Sequence, residues 1–375
     1  MNNNRFNFRC FLMYMKKMIK LFDPSIDKEE ELVIRNVLRS KNWANGAGLG
    51  KVLEFENKFK KYTNSKECIA VNSGTAALNL ALSIYDIRGK EVILPSMTFV
   101  ATANAVVMNG GKPVFVDIDE DTLNLSLDDI KSKVSQKTKI ILPVHFGGLS
   151  CDMEEIQSLA KRNNLKIIED AAHAAGSKYK NSKIGSHGHA VCFSFHPVKN
   201  LAMPTGGLIA INEKNSKKIR EELLAKRWCG ITNRKGTDYD VKEIGNNYYM
   251  NEFSASIGII QLKKLDRLNT VRKIIAKRFS SELNLQKKSK FDKNCSYHLY
   301  WIIVKNRDEF RKKMFENGIE TGTHYKPVHK MSAYKSKNKL ENTEKIGSRI
   351  VTIPCHPNLS DSQMDKIIKM VNKYS

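Results

Sequence analysis

No apolar run in the 375-residue chain approaches the length needed to cross a bilayer, so no membrane-spanning helix is expected. Cysteine is sparse and unpatterned. Cys10, Cys68, Cys151, Cys192, Cys229, Cys295 and Cys355 are odd in number, widely spaced and never in CxxC register. That excludes a disulfide framework and a cysteine zinc site, and it points to a reducing, cytoplasmic compartment. There is no internal repeat and no low-complexity linker. Residues 1–17 (MNNNRFNFRCFLMYMKK) lack the clean apolar segment and small-residue cleavage site of a secretory signal, and they are read as an extension ahead of the folded part. Acidic residues are few beside basic ones, with Asp+Glu 39 against Lys+Arg 63 and a formal net charge of +24. The surplus is dispersed over the polar faces of amphipathic segments. No basic block with interleaved aromatics and no helix-turn-helix pattern is present, so nucleic acid is not the expected partner.

What the chain does have is alternation. Short apolar runs at 68–71, 91–94, 113–117, 139–144 and 166–170 are separated by helical patterns at 75–85, 99–108, 127–134 and 153–163. Continuous apolar strands between helices predict a mostly parallel sheet covered on both faces. Ligands of such sheets sit beyond the carboxyl ends of the strands. After a further strand pair around 192–195 and 208–211, a basic helix is expected over 214–228, a turn-rich stretch over 230–247 and a helix over 251–268. A smaller α/β unit then follows, with a strand at 298–304 and helices at 309–316 and 362–374.

Three strand ends are rich in chemistry. Asn72-Ser73-Gly74-Thr75-Ala76 lies between a strand and a helix, where small residues and unpaired N–H groups make a seat for phosphate, although an ordinary turn capped by Ser73 reads equally well. Asp170 closes the strand before Ala171-Ala172-His173; a buried carboxylate there needs a cationic partner or else caps the next turn. Lys199 follows Ser194-Phe195-His196-Pro197-Val198 at the mouth of a strand, where poor solvation favours the neutral amine that a Schiff-base lysine needs. Gly46-Ala47-Gly48-Leu49-Gly50 lacks a preceding strand and the spacing of a dinucleotide fingerprint. Ser186-His187-Gly188-His189 has no further ligand nearby in sequence, so no metal site is expected.

A phosphate seat, a strand-end aspartate and a later strand-end lysine occur in the order found in pyridoxal phosphate enzymes. The chain resembles the DegT-type sugar-nucleotide aminotransferases from about Met18 onward. The resemblance rests on NSGTAAL at 72–78, PSMTFVATANAV at 95–106, EDAAHAAG at 169–176, SFHPVKN at 194–200, GNNYYMNEFSASIG at 245–258 and HYKPVH at 324–329. It implies a fold-type-I aminotransferase with a large cofactor domain (18–260), a smaller C-terminal α/β domain (261–375) and a homodimer with shared active sites. It implies pyridoxal 5'-phosphate as cofactor, L-glutamate as amino donor and a nucleotide-linked keto-deoxysugar as acceptor.

By the same resemblance Lys199 is the Schiff-base lysine and Asp170 the partner of the pyridine nitrogen. Gly74, Thr75, Ala76 and Ser194 lie at the phosphate, Phe99 stacks on the ring and His173 lies near the cofactor hydroxyl. Asn247 reaches the phosphate of the neighbouring subunit, and His324, Tyr325 and His329 belong to the substrate side. Related sequences carry Arg where this one has Tyr249, and a run of Thr, Gly and Glu where this one has Leu201-Ala202-Met203-Pro204-Thr205. The TFVATANAV and DAAHA wording is closer to members that aminate position 4 of a 4-keto-6-deoxyhexose than position 3. A regulatory protein that keeps the fold without catalysis would have no use for both Lys199 and Asp170.

Overall fold

The computed structural model describes residues 18–336 and 338–375; the expected extension over 1–17 lies outside the described residues. Its centre is a seven-stranded sheet in the order β1-β9-β8-β5-β4-β2-β3. The strands are β1 (Glu67–Val71), β2 (Glu91–Pro95), β3 (Lys112–Val116), β4 (Thr138–Ile141), β5 (Lys166–Asp170), β8 (Ala190–Ser194) and β9 (Gly207–Ile211). A two-residue hairpin, β6 (Lys178–Tyr179) and β7 (Ser182–Lys183), sits aside from it. Strands β2 to β5 and β8 pair in parallel, and β9 runs antiparallel to both β8 and β1.

The strands are apolar on both sides because both faces are covered. Ile69 and Val71, Val92 and Leu94, and Ile140 and Leu142 pack into one cluster with Leu80, Val106 and Leu223 from helices. Their neighbours Cys68 and Ala70 meet Phe55, Phe59 and Leu265 on the other face. Ile93, Ile141 and Ile167 meet Ile156 and Leu159 there too. This alternation across a doubly covered sheet is the expected α/β architecture. The helices on the two faces are α1 (Lys28–Ser40), α2 (Lys51–Thr63), α3 (Gly74–Leu82), α4 (Ala101–Met108), α5 (Leu127–Lys133), α6 (Met153–Arg162) and α7 (Ser216–Arg227).

Four features differ from the expected pattern. Helix α4 begins at Ala101 rather than Phe99, because Phe99 belongs to the turn that leaves β2. The stretch 230–247 contains a hairpin, β10 (Ile231–Lys235) and β11 (Asp238–Val241), turned at Gly236 with φ +60°. Most of its residues are exposed and polar, so no alternation marks it. Helix α8 runs from Glu252 to Glu282 instead of stopping near Leu268. Its first half packs Leu262 and Leu265 on Phe55 and Phe195, and its second half packs Ile275 and Phe279 on Tyr297, Tyr300 and Phe310. One continuous helix, passing through residue 260, therefore serves two cores. The C-terminal unit pairs β12 (Tyr300–Ile303) with an additional strand β13 (Ile350–Ile353) and carries α9 (Arg307–Glu316), α10 (Glu341–Gly347) and α11 (Asp361–Tyr374). Among the described residues no helix is long and apolar enough to cross a membrane, and no cluster of side chains is arranged to hold a metal ion.

Candidate active site

The carboxyl ends of β1, β2, β5 and β8 open onto one cavity of 340 Å³. At the end of β1, Ser73 caps α3 by accepting from Ala76 N–H at 3.1 Å. The N–H groups just ahead of it have no carbonyl of the helix to bond to, and the helix dipole adds positive potential there. Two glycines let the backbone close in. A Cβ on Gly207 would lie 2.3 Å from the Ser73 carbonyl oxygen, and one on Gly74 would lie 2.7 Å from Ser194 Cβ. The Thr205 hydroxyl bonds the Asn72 carbonyl oxygen beside them. Together these form a small, donor-rich cradle of the kind that takes a phosphate group.

Asp170, at the end of β5, is 4% exposed. Burial pushes its carboxyl pKa up, against the pull of its hydrogen bonds and of the Lys199 charge. Its Oδ2 accepts from the Thr102 hydroxyl at 2.8 Å and its Oδ1 from Ala172 N–H at 3.1 Å. Since Thr102 gives its hydrogen to Asp170, the Thr98 hydroxyl, 2.8 Å away, donates to Thr102. A carboxylate held this way lacks only a cation. Lys199, five residues beyond β8, faces the same cavity, and burial lowers its amine to about 8 despite the attraction of Asp170. Its Nζ lies 3.2 Å from Nε2 of His298.

The far wall is aromatic. Gly147 N–H donates to Nδ1 of His173 at 3.3 Å, so the ring hydrogen sits on Nε2 and is given to the Tyr325 hydroxyl at 2.9 Å. That leaves the tyrosine hydrogen free to meet a ligand. The two rings lie nearly parallel at 13°. Burial, with the Lys199 charge nearby, drives His173 and His298 well below the usual imidazole range and His324 to about 4, so all three are neutral at pH 7. Phe99 stands 57% exposed at the mouth, 6.1 Å from the Tyr325 ring centre.

Of the residues singled out from sequence, Gly74, Thr75, Phe99, Asp170, His173, Ser194, Lys199, His324 and Tyr325 line this cavity, whereas Ala76, Asn247 and His329 do not. Ala76 contributes its N–H to the cap. The Asn247 carbonyl oxygen accepts from the Asn72 side chain at 3.2 Å, outside the cavity of its own chain. His329 is buried behind the wall, with Nδ1 2.6 Å from the Ser96 hydroxyl and Nε2 3.2 Å from Glu344. Thr102, His298 and Phe22 line the cavity without having been singled out. Thr102 stands one helical turn from Phe99 in a motif already noted, which was a usable signal. His298 and Phe22 carried none.

Two loops set aside in the sequence are structural. His189 Nδ1 accepts from Ile167 N–H at 3.0 Å. Gly46 and Gly48 lie flat against Trp228 and Arg227.

A phosphate cradle, a buried carboxylate for a ring nitrogen and an amine near neutrality for an aldehyde fit pyridoxal 5'-phosphate, so fold and site together define a pyridoxal-phosphate-dependent aminotransferase. A model of the DegT/DnrJ/EryC1/StrS aminotransferase family matches residues 24–372, and the chain belongs to that family of sugar aminotransferases. It is 35% identical over 370 residues to GDP-perosamine synthase of Escherichia coli O157:H7, covering 96% of this chain and 99% of that one. Among solved structures it is similar to Helicobacter pylori PseC, an aminotransferase involved in the biosynthesis of pseudoaminic acid. That match has a TM-score of 0.89 at 27% identity, over 95% of this chain and 99% of that one. Spr1654 of Streptococcus pneumoniae, solved in PLP and PMP forms, also gives a TM-score of 0.89 at 28% identity. It covers 95% of this chain and, for the PMP form, 97% of that one.

Proposed function

We propose that the protein transfers an amino group from L-glutamate to a nucleotide-linked keto-deoxysugar, at position 4 of a 4-keto-6-deoxyhexose. The observation that carries this reading is the half-buried Lys199 amine sharing one cavity with the buried Asp170 carboxylate. When bound, the cofactor supplies the aldehyde carbon that exchanges amines and the ring that accepts electrons.

The chain's own groups divide the remaining work. The N-terminus of α3, with Gly74, Thr75 and Ser194, holds the phosphate. Asp170, kept in place by Thr102 and Ala172, would hold a proton on the ring nitrogen. Lys199 would hold the aldehyde, and an amine lowered to about 8 suits the movement of a proton as a general base at neutral pH. His173 orients Tyr325, whose hydroxyl hydrogen stays available to a ligand in the cavity. Phe99, at the cavity mouth, would cover the ring, and His324 with Tyr325 would line the sugar side.

The assignment to position 4 is supported by the motif wording at 98–106 and 170–174. A nucleotide-linked sugar is supported by similarity to an enzyme named for a GDP-linked amino sugar. The protein acts as a cytoplasmic homodimer in which Asn247 serves the neighbouring site; its position outside its own cavity supports this.

The test is turnover. Purified protein with glutamate should aminate 4-keto-6-deoxyhexoses carried on a nucleoside diphosphate and release 2-oxoglutarate. Activity confined to 3-keto sugars would move the reaction to position 3. Absence of any pyridoxal phosphate bound at Lys199 would remove the mechanism altogether.

A further inference from the structure

His298 belongs to no part of the scheme above, yet it touches the reacting atom. We propose that its imidazole is the docking point for the Lys199 amine whenever that amine is not covalently engaged, so that the freed lysine is held in place rather than searching the cavity. This rests on Lys199 being the residue that binds the aldehyde.

The ring is held between two others. It stacks on Phe22 at 5.4 Å and 17°, and it lies 4.6 Å from His173. Its backbone segment is strapped to the loops beyond β4 and β5. Leu299 N–H donates to Gly147 O at 3.2 Å, Ser296 Oγ donates to His173 O at 3.1 Å, and Asn200 Nδ2 donates to Ser296 O at 2.8 Å. Asn200 follows Lys199 directly, so the strap holds both partners in register.

Lysine, by contrast, has a four-carbon stem and loses much rotamer freedom when held. The titratable groups that line the cavity with its amine include Asp170, His173, His196, His298 and His324. Asp170 attracts the amine across the cavity, but its own hydrogen bonds run to Thr102 and Ala172. His173 gives its Nε2 hydrogen to Tyr325. His298 alone of these has a ring nitrogen within bonding distance of Nζ, at 3.2 Å.

The protonation states settle the direction. Burial holds His298 neutral, and the ammonium form of Lys199 has only hydrogens to give, so Nζ donates and Nε2 accepts. The ring hydrogen then sits on Nδ1, which is buried with no hydrogen-bond partner among the protein groups around it. An unsatisfied buried donor costs free energy and calls for an explanation. Docking of the lysine supplies one.

The test uses the cofactor-free protein. Lys199 is acylated with a lysine-selective reagent across a pH series, and its peptide is quantified by mass spectrometry to give an apparent pKa. His298→Phe keeps a stacked ring and removes the acceptor; His298→Gln keeps a carbonyl acceptor. A hydrogen bond accepted from the charged amine favours that form, so H298F should titrate about one unit below wild type, while H298Q stays near it.

An unchanged apparent pKa in H298F, or an equal fall in H298Q, overturns the proposal. Capture of pyridoxal phosphate, followed by absorbance, separates the two levels. A wild-type protein that fails to capture it refutes the role of Lys199. Capture by wild type and by both variants, with no shift in H298F, refutes only that of His298.

Discussion

Gly207 is the position at which the phosphate cradle can be perturbed without touching any reactive group. It pairs with Val71 on one side and Ser194 on the other, so it lies at the point where β1 and β8 end and β9 begins. An alanine Cβ there would sit 2.3 Å from Ser73 O, 2.4 Å from Ser73 C and 2.7 Å from Gly74 N. Ordinary contact begins near 3.4 Å, so the backbone leading into α3 must shift by about 1 Å. None of these atoms can rotate away as a side chain would. Overpacking costs typically ~1–3 kcal/mol, and backbone against backbone belongs at the upper end.

If the strain is relieved by moving the Ser73–Gly74 turn out of its phosphate-binding position, the loss appears in cofactor affinity. At about 1.4 kcal/mol per tenfold, 3 kcal/mol corresponds to on the order of 100-fold. The assay is equilibrium titration of the cofactor-free protein with pyridoxal phosphate and, in parallel, with pyridoxal, which lacks the phosphate. Gly207→Ala should weaken the first on the order of 100-fold and the second little, erasing the advantage the phosphate confers. Equal weakening of both ligands, or an unchanged affinity with an unchanged melting temperature, would show that this turn is not the phosphate seat.

The remaining predictions probe burial. Lys199 has a pKa of about 8 in the fold and 10.5 as an ordinary lysine. Between those values the unfolded chain binds the extra proton, and stability rises with pH. Cofactor-free Lys199→Met should therefore exceed wild type in unfolding free energy below pH 8, with the difference shrinking toward pH 10; denaturant melts at several pH values that show a constant difference would contradict this. His329→Phe removes bonds to Ser96 and Glu344 from a site that is 1% exposed, so it should cost about 1–3 kcal/mol in urea unfolding while changing KM little. Arg227, fully buried, bonds Glu56 at 2.8 Å and Ala70 O at 2.9 Å. Arg227→Met should cost roughly 3–5 kcal/mol, moderated by Arg220, which also bonds Glu56, and adding Glu56→Leu should recover part of the loss.

The sheet was legible because its strands are covered on both faces, so each reads as an unbroken apolar run such as Ile167-Ile168 or Leu208-Ile209-Ala210-Ile211. The hairpin at 231–241 was not, since exposure leaves its residues free of any period. Helix α8 outran its expected end because Ile275 and Phe279 continue the apolar spacing into a second core, and a pattern in sequence does not show when one core gives way to another. The site divides along the same line. Gly74, Asp170 and Lys199 each sit at a strand end, where local chemistry is readable. Sheet order then does what no local signal can, setting β1, β9, β8 and β5 side by side so that residues 74, 170 and 199 face one cavity. His298 approaches from outside that sheet, 99 residues from the lysine it touches, on a segment whose own sequence is an apolar strand start. Its contact depends on Gly147, Ser296 and Asn200 holding two units of the fold in register. A loosened strap that left both units folded should therefore separate Lys199 from His298 while leaving Asp170 and the phosphate seat intact.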